Sequence, residues 1–165
     1  MTFGRRLKGV LLLDAATYEE IESNRSAGVQ AFVVVAAASL AFGIGAGLPY
    51  GPLVLVRETM AALIGWVMWA GVTYVIGTRL LPEPQTRTDM GELLRVIGFA
   101  YAPNLFAVLG VVPIAGTAIR TITAFWILAT TIVAVRQALD YRSTLRATGV
   151  VLMGWFFFVL ITWAF

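Results

Sequence analysis

Chemistry in this chain has few residue types to draw on. His and Cys are both absent, so the common zinc, copper and haem ligand sets cannot be assembled. No imidazole exists to activate a hydroxyl nucleophile. Ser39 also lacks a Gly-x-Ser-x-Gly setting. No Gly-rich phosphate loop of the P-loop type occurs. No acidic residue falls deep inside an apolar run, which leaves a carboxylate pair or proton relay without material. The sequence therefore predicts no catalytic residue, no metal and no cofactor.

Three constellations remain. In an otherwise apolar stretch stand Gly98, Tyr101, Pro103 and Asn104. A proline there removes a backbone donor and kinks a helix. The Asn104 amide beside it suits either a hydrogen bond to a neighbouring helix or the wall of a cavity, and Tyr101 can add a hydroxyl to the same network. Ser39, Gly43 and Gly47 recur every fourth residue, a small-residue row that permits close helix approach, either within one chain or between two copies. Arg57, Glu58 and Arg120 flank apolar runs. Two cations against one anion fit either an ion pair with a snorkelling arginine or a site for a lipid phosphate.

The elements that must position these residues follow from composition. Of 165 residues, 59% are apolar and only 13% charged, against about 25% charged in an ordinary soluble domain. The apolar residues are gathered into long runs, the signature of membrane-spanning helices. Net charge is +3, but the basic residues lie between the apolar runs, where they set topology and do not suggest nucleic acid.

Residues 1–28 form a polar, amphipathic segment. Phe3, Leu7, Val10 and Leu11 share one helical face beside Arg5, Arg6 and Lys8, which predicts a short interfacial helix with its cations among the headgroups. That apolar stretch ends at Asp14, too short for a signal peptide. A second short helix, Ala15 to Ser23, can be capped by Asp14, though Thr17, three residues before Glu20, offers the same spacing. Residues 29–165 read as a single five-helix membrane domain. Ser26 to Val56 carries no charge, but Gly45–Pro52 breaks it, giving Val29–Leu48 and a second span to about Thr78. A polar loop with Pro82 and Pro84 follows, opening a third span near Glu92 through a Thr88-Asp89 cap. That span ends at Val112, and Pro113 begins a fourth that runs to Val135. The charge-free part of the fourth, Thr121–Val135, is only ~22 Å long at helical rise, so Arg120 must lie within its outer third. Ala147–Phe165 is the fifth.

Ten of the twelve Lys and Arg fall on one side of this arrangement: Arg5, Arg6, Lys8, Arg25, Arg79, Arg87, Arg95, Arg136, Arg142 and Arg146. The other side holds Arg57 and Arg120. The positive-inside rule then predicts a cytoplasmic N-terminus, an external Phe165, and a multi-pass protein of the cell's inner (plasma) membrane. Tyr50, Trp155 and Trp163 are expected near the membrane interfaces.

The third span reads Glu92-Leu-Leu-Arg-Val-Ile-Gly98-Phe-Ala-Tyr101-Ala-Pro103-Asn104-Leu105-Phe106. Its Gly-aromatic pair, followed by proline and an apolar run, resembles the Yip (Ypt-interacting protein) family of five-span membrane proteins, especially its short bacterial members. Trp126 followed by Ala134, Arg136 and Ala138 is similar to the family's fourth span. The order of elements also fits: amphipathic N-terminus, two spans, polar loop, three spans. Tyr50-Gly51-Pro52 follows the first span here, whereas the family's eukaryotic Asp-Leu-Tyr-Gly-Pro element precedes it, so GTPase binding is not carried over.

The resemblance implies an integral membrane protein that organises other membrane components. The sequence accordingly predicts a non-catalytic adaptor, organiser or accessory subunit of a membrane complex, which contacts membrane lipids and either another membrane protein or a second copy of itself. The alternative is a small transporter, channel or lipid-handling protein, suggested by Pro103 and Asn104.

Overall fold

The computed structural model describes residues 1–112 and 114–164, the side chains of residues 158 and 161–164 excepted. Pro113 and Phe165, and the side chain of Trp163, thus lie outside the described residues. The chain is an all-α, polytopic membrane bundle with helices α1 (Phe3–Leu11), α2 (Ala15–Ser23), α3 (Ala27–Gly47), α4 (Pro52–Val75), α5 (Met90–Ala100), α6 (Gly116–Ala138) and α7 (Thr144–Ala164). Four segments are long and apolar enough to cross a bilayer: Ala27–Tyr50, Pro52–Leu80, Met90–Val111 and Gly116–Ala138. The described apolar part of α7, Thr144–Phe157, is shorter.

Helix ends fall where local chemistry puts them. Gly51 has φ +104°, a conformation that costs glycine little and other residues much. It reverses the chain after the 3-10 turn Leu48–Tyr50, and Pro52 opens α4, where its missing N–H is no loss. Asp89 caps α5 in a full capping box: its carboxylate accepts from the Glu92 N–H at 2.8 Å, while Glu92 accepts from the Asp89 N–H at 2.9 Å.

The third crossing differs from the kinked α-helix expected of Pro103. The α-helix stops at Ala100, and the chain continues as a 3-10 helix over Ala102–Val111. Ten residues is long for that geometry. At about 2.0 Å rise per residue, against 1.5 Å in α5, the whole crossing still reaches ~36 Å. It spans the hydrocarbon despite its short α-helical part.

α1 and α2 do not float at the headgroups as separate helices. They fold onto one end of the bundle, where Val10, Tyr18 and Ile21 join Leu93, Val96, Phe99 and Leu139 in the core. The expectation that all the α1 cations face lipid headgroups fails at Arg6. That side chain is 1% exposed because Glu20 and Gln30 provide partners that make its burial tolerable. Arg5 and Lys8 remain exposed.

Candidate functional site

The end of the bundle that carries α1 and α2 is built from polar cross-ties. Arg6 donates to both Glu20 carboxylate oxygens, through Nε at 2.8 Å and Nη2 at 2.7 Å, and to Gln30 Oε1 at 2.5 Å. One buried guanidinium thus joins α1, α2 and α3, using the fork of donors that only arginine offers. The pairing holds the Glu20 carboxyl down at about 2, chiefly through its hydrogen bond with Arg6. Gln137 of α6 donates to Glu19 at 2.8 Å, and Arg95 of α5 donates to the Glu22 carbonyl at 2.6 Å. The Trp126 indole N–H reaches the Leu11 carbonyl at 3.1 Å, capping the C-terminal end of α1.

The connecting loops at this end are tied to one another as well. Thr86 donates to the Leu139 carbonyl at 2.9 Å and Gln85 to that of Asp140 at 3.0 Å. Arg146 pairs with Glu83 at 3.5 Å. The Tyr141 hydroxyl lies 2.8 Å from the Leu81 carbonyl and 3.1 Å from that of Gly77, where a π turn, Ile76–Leu80, leaves carbonyls free at the end of α4. Around this framework Arg5, Lys8, Arg25, Arg79, Arg87 and Arg142 are exposed.

In the middle of the bundle, Gly98 packs against Ala31 and Val35 of α3. Pro103 and Asn104 are buried. Asn104 makes its backbone bond to the Tyr101 carbonyl at 2.9 Å, but its side-chain amide has no hydrogen-bond partner among the described residues. It also does not line the groove between α4, α6 and α7 to which Tyr101 contributes. The structural consequence of Pro103 appears on α6 instead. Lacking an N–H, Pro103 cannot bond a carbonyl one turn back. The Thr130 hydroxyl lies 2.8 Å from the Ala100 carbonyl, nearer than the Ile127 and Trp126 carbonyls of its own helix at 2.9 and 3.0 Å. A neighbouring helix thus brings a donor within reach, as membrane interiors require.

The small-residue row lies on the α3–α4 contact. A Cβ on Gly43 would collide with the Thr59 hydroxyl, and one on Gly47 would sit 2.6 Å from Leu55 Cα. Ser39 is fully buried. Gly45, outside that row, faces the other way: a Cβ there would collide with the Ala107 carbonyl oxygen of the 3-10 segment.

The charges at the opposite end do not form one cluster. Arg57 pairs with its sequence neighbour Glu58 at 2.6 Å. Arg120 donates to Thr117 Oγ1 at 3.3 Å and more weakly to the Gly110 carbonyl at 3.5 Å. No bond joins it to Arg57 or Glu58 among the described residues.

A groove of about 630 Å³ runs between α4, α6 and α7. Trp69, Leu128, Val151 and Trp155 form much of its wall, with the Tyr101 and Thr131 side chains among the few polar ones. Sequence reading missed this groove and Thr130, and it placed Gly45 in the helix break, whereas α3 continues to Gly47 and Gly45 is a packing position. The groove has no signal along the chain, because it exists only where three separate helices diverge. Gly45 was legible in principle as a second glycine between Gly43 and Gly47, on the opposite face.

No curated protein and no solved structure matches the chain. A family match, however, covers residues 8–165, from within α1 to the final residue. With an amphipathic pair of helices packed on a polytopic apolar bundle, and a Gly-aromatic-Pro element at the α-to-3-10 change, this chain belongs to the Yip1 domain family.

Proposed function

We propose that the protein is a non-catalytic membrane adaptor or organiser, an accessory subunit whose working surface is the end formed by α1, α2 and the two polar loops. The observation that supports this reading is the Arg6–Glu20–Gln30 junction and the ties around it. They hold a mixed-charge surface, with exposed Arg5, Lys8, Arg25, Arg79, Arg87, Arg142 and Arg146 among exposed Asp14, Glu19, Asp89 and Asp140, in fixed shape on the membrane bundle, and a pre-ordered surface loses little entropy when a partner docks. The distribution of Lys and Arg favours the cytoplasmic side for this end, in the inner (plasma) membrane. The partners are then membrane lipids together with another membrane protein or a second copy of the chain.

A transporter or channel is the weaker reading. Its main support was Asn104 beside Pro103, and Asn104 is packed away from the groove. The test is a pull-down of the tagged protein from its own membranes in mild detergent, with protein identification and native mass. Reproducible partners in fixed stoichiometry support the adaptor. Flux or lipid movement across vesicles holding the pure protein, abolished by Asn104→Leu, would favour the transporter.

A further inference from the structure

The groove between α4, α6 and α7 opens sideways: of its wall residues, Phe125 is 67% exposed and Trp155 61%. In a bundle that spans a membrane, that opening faces hydrocarbon. The groove's apolar lining offers dispersion contacts to a hydrocarbon chain and few hydrogen-bond partners to water. Its volume lies within the range of small-molecule sites, about 300–1,000 Å³.

Arg120 lies on α6 just beyond the groove's lining residues. Positions 120, 124, 127 and 131 share one stripe of α6, and Ala124, Ile127 and Thr131 line the groove. At helical rise, the Arg120 Cα lies about 6 Å beyond that of Ala124 along the axis. The guanidinium has five donors. Its contacts are Thr117 Oγ1 and a long bond to the Gly110 carbonyl, with no carboxylate in ion-pair range among the described residues. Arg57, the other cation at this end, is already paired with Glu58. A cation without a carboxylate partner, one helical turn beyond an apolar groove on the same helix, is complementary to a phosphodiester joined to an acyl chain.

We propose that this groove is a phospholipid site, with one acyl chain between α4, α6 and α7 and the lipid phosphate on Arg120. The site is independent of the adaptor role. The full chain, purified in non-ionic detergent, is titrated with phosphatidylglycerol and read by native mass spectrometry. One lipid per chain should persist. Diacylglycerol with the same acyl chains, lacking the phosphate, should bind the wild-type protein about tenfold more weakly. Arg120→Gln should lower phosphatidylglycerol affinity by a similar factor, and Arg120→Lys should restore part of it. Ala124→Phe, which fills the groove and leaves Arg120 in place, should abolish retention. Equal binding of both lipids to the wild-type protein overturns the proposal, because it needs no variant to fold. Displacement of the lipid by millimolar inorganic phosphate overturns it too, since the site would then hold free phosphate. A dimer that Ala124→Phe dissolves, with lipid retention unchanged, would assign the groove to a second copy instead.

Discussion

The two ends of the bundle are held together in different ways. At the α1–α2 end, helices and loops are joined through side chains: Arg6 to Glu20 and Gln30, Gln137 to Glu19, Thr86 to the Leu139 carbonyl, Tyr141 to the π turn. At the opposite end the polar bonds are local. Among the described residues Arg57 reaches only its neighbour, and Arg120 chiefly its own helix. Cohesion there comes from close backbone approach, Gly43 and Gly47 against α4 and Gly45 against the 3-10 segment. The first end carries α1, α2 and two polar loops with side chains to join, while the opposite end has only short connections, so contact there rests on small residues of the spans themselves.

That contrast can be broken at each end. The largest effect is expected from Glu20→Gln, which leaves the buried Arg6 guanidinium without its carboxylate. Stability should fall by about 3 kcal/mol, with α1 and α2 becoming susceptible to protease while the bundle stays helical. Thermal unfolding in detergent with limited proteolysis measures both. Gly45→Ala should cost about 2 kcal/mol by overpacking, because the added methyl meets the Ala107 backbone. Gly43→Ala should cost less, since its backbone clash is milder: the Leu55 carbonyl oxygen would lie 2.9 Å from the added methyl, farther than the Ala107 oxygen lies from one at Gly45. The same unfolding assay ranks the two glycines, and a reversed order would place the tight contact on the wrong face of α3. Between the ends, Thr130→Val should cost about 1–2 kcal/mol by leaving the Ala100 carbonyl without a donor. Thr130→Ser, which keeps the hydroxyl, should recover most of it.

The smallest effects are pH slopes, opposite in sign for two carboxyls of one helix. Burial pushes the Glu22 carboxyl up to about 7, with Asp140, Glu92 and Glu19 adding repulsion and Arg95 opposing. Between the ordinary 4.5 and about 7 the folded chain holds more protons at Glu22 than the unfolded chain, so stability falls as pH rises through that window. Glu20 behaves in reverse. Its folded value near 2 lies below the ordinary 4.5, so its contribution is full above 4.5 and is lost as pH falls toward 2. Melting temperatures across pH 5–8 should slope downward, and Glu22→Gln should flatten that slope.

Much of the fold was legible because a membrane enforces it. The charge-free runs, the break before Pro52 and the Asp89 cap follow from local chemistry, and α1, α2, α3 and α5 begin within two residues of the positions expected, although the Asp14 carboxylate accepts from the Thr17 hydroxyl and caps no backbone N–H. The change from α to 3-10 at Pro103 was not legible. The sequence shows that Pro103 removes a donor, but whether the helix kinks or rewinds depends on what a neighbour supplies, here Thr130. Arg6 was misread for a related reason. Helical periodicity assigns a face within one helix, and only the packing of α2 and α3 places Glu20 and Gln30 around that face. The groove was invisible for the same reason, as was the separation of Arg120 from the Arg57–Glu58 pair.

The adaptor account is tested most directly by charge reversal at the two ends, read as partner co-purification from native membranes. Arg87→Glu with Arg142→Glu should remove a stoichiometric partner, whereas Arg57→Glu should leave it bound. Loss of the partner with Arg57→Glu alone, or a lone monomer from wild-type membranes, would contradict the claim that the α1–α2 end is the working surface.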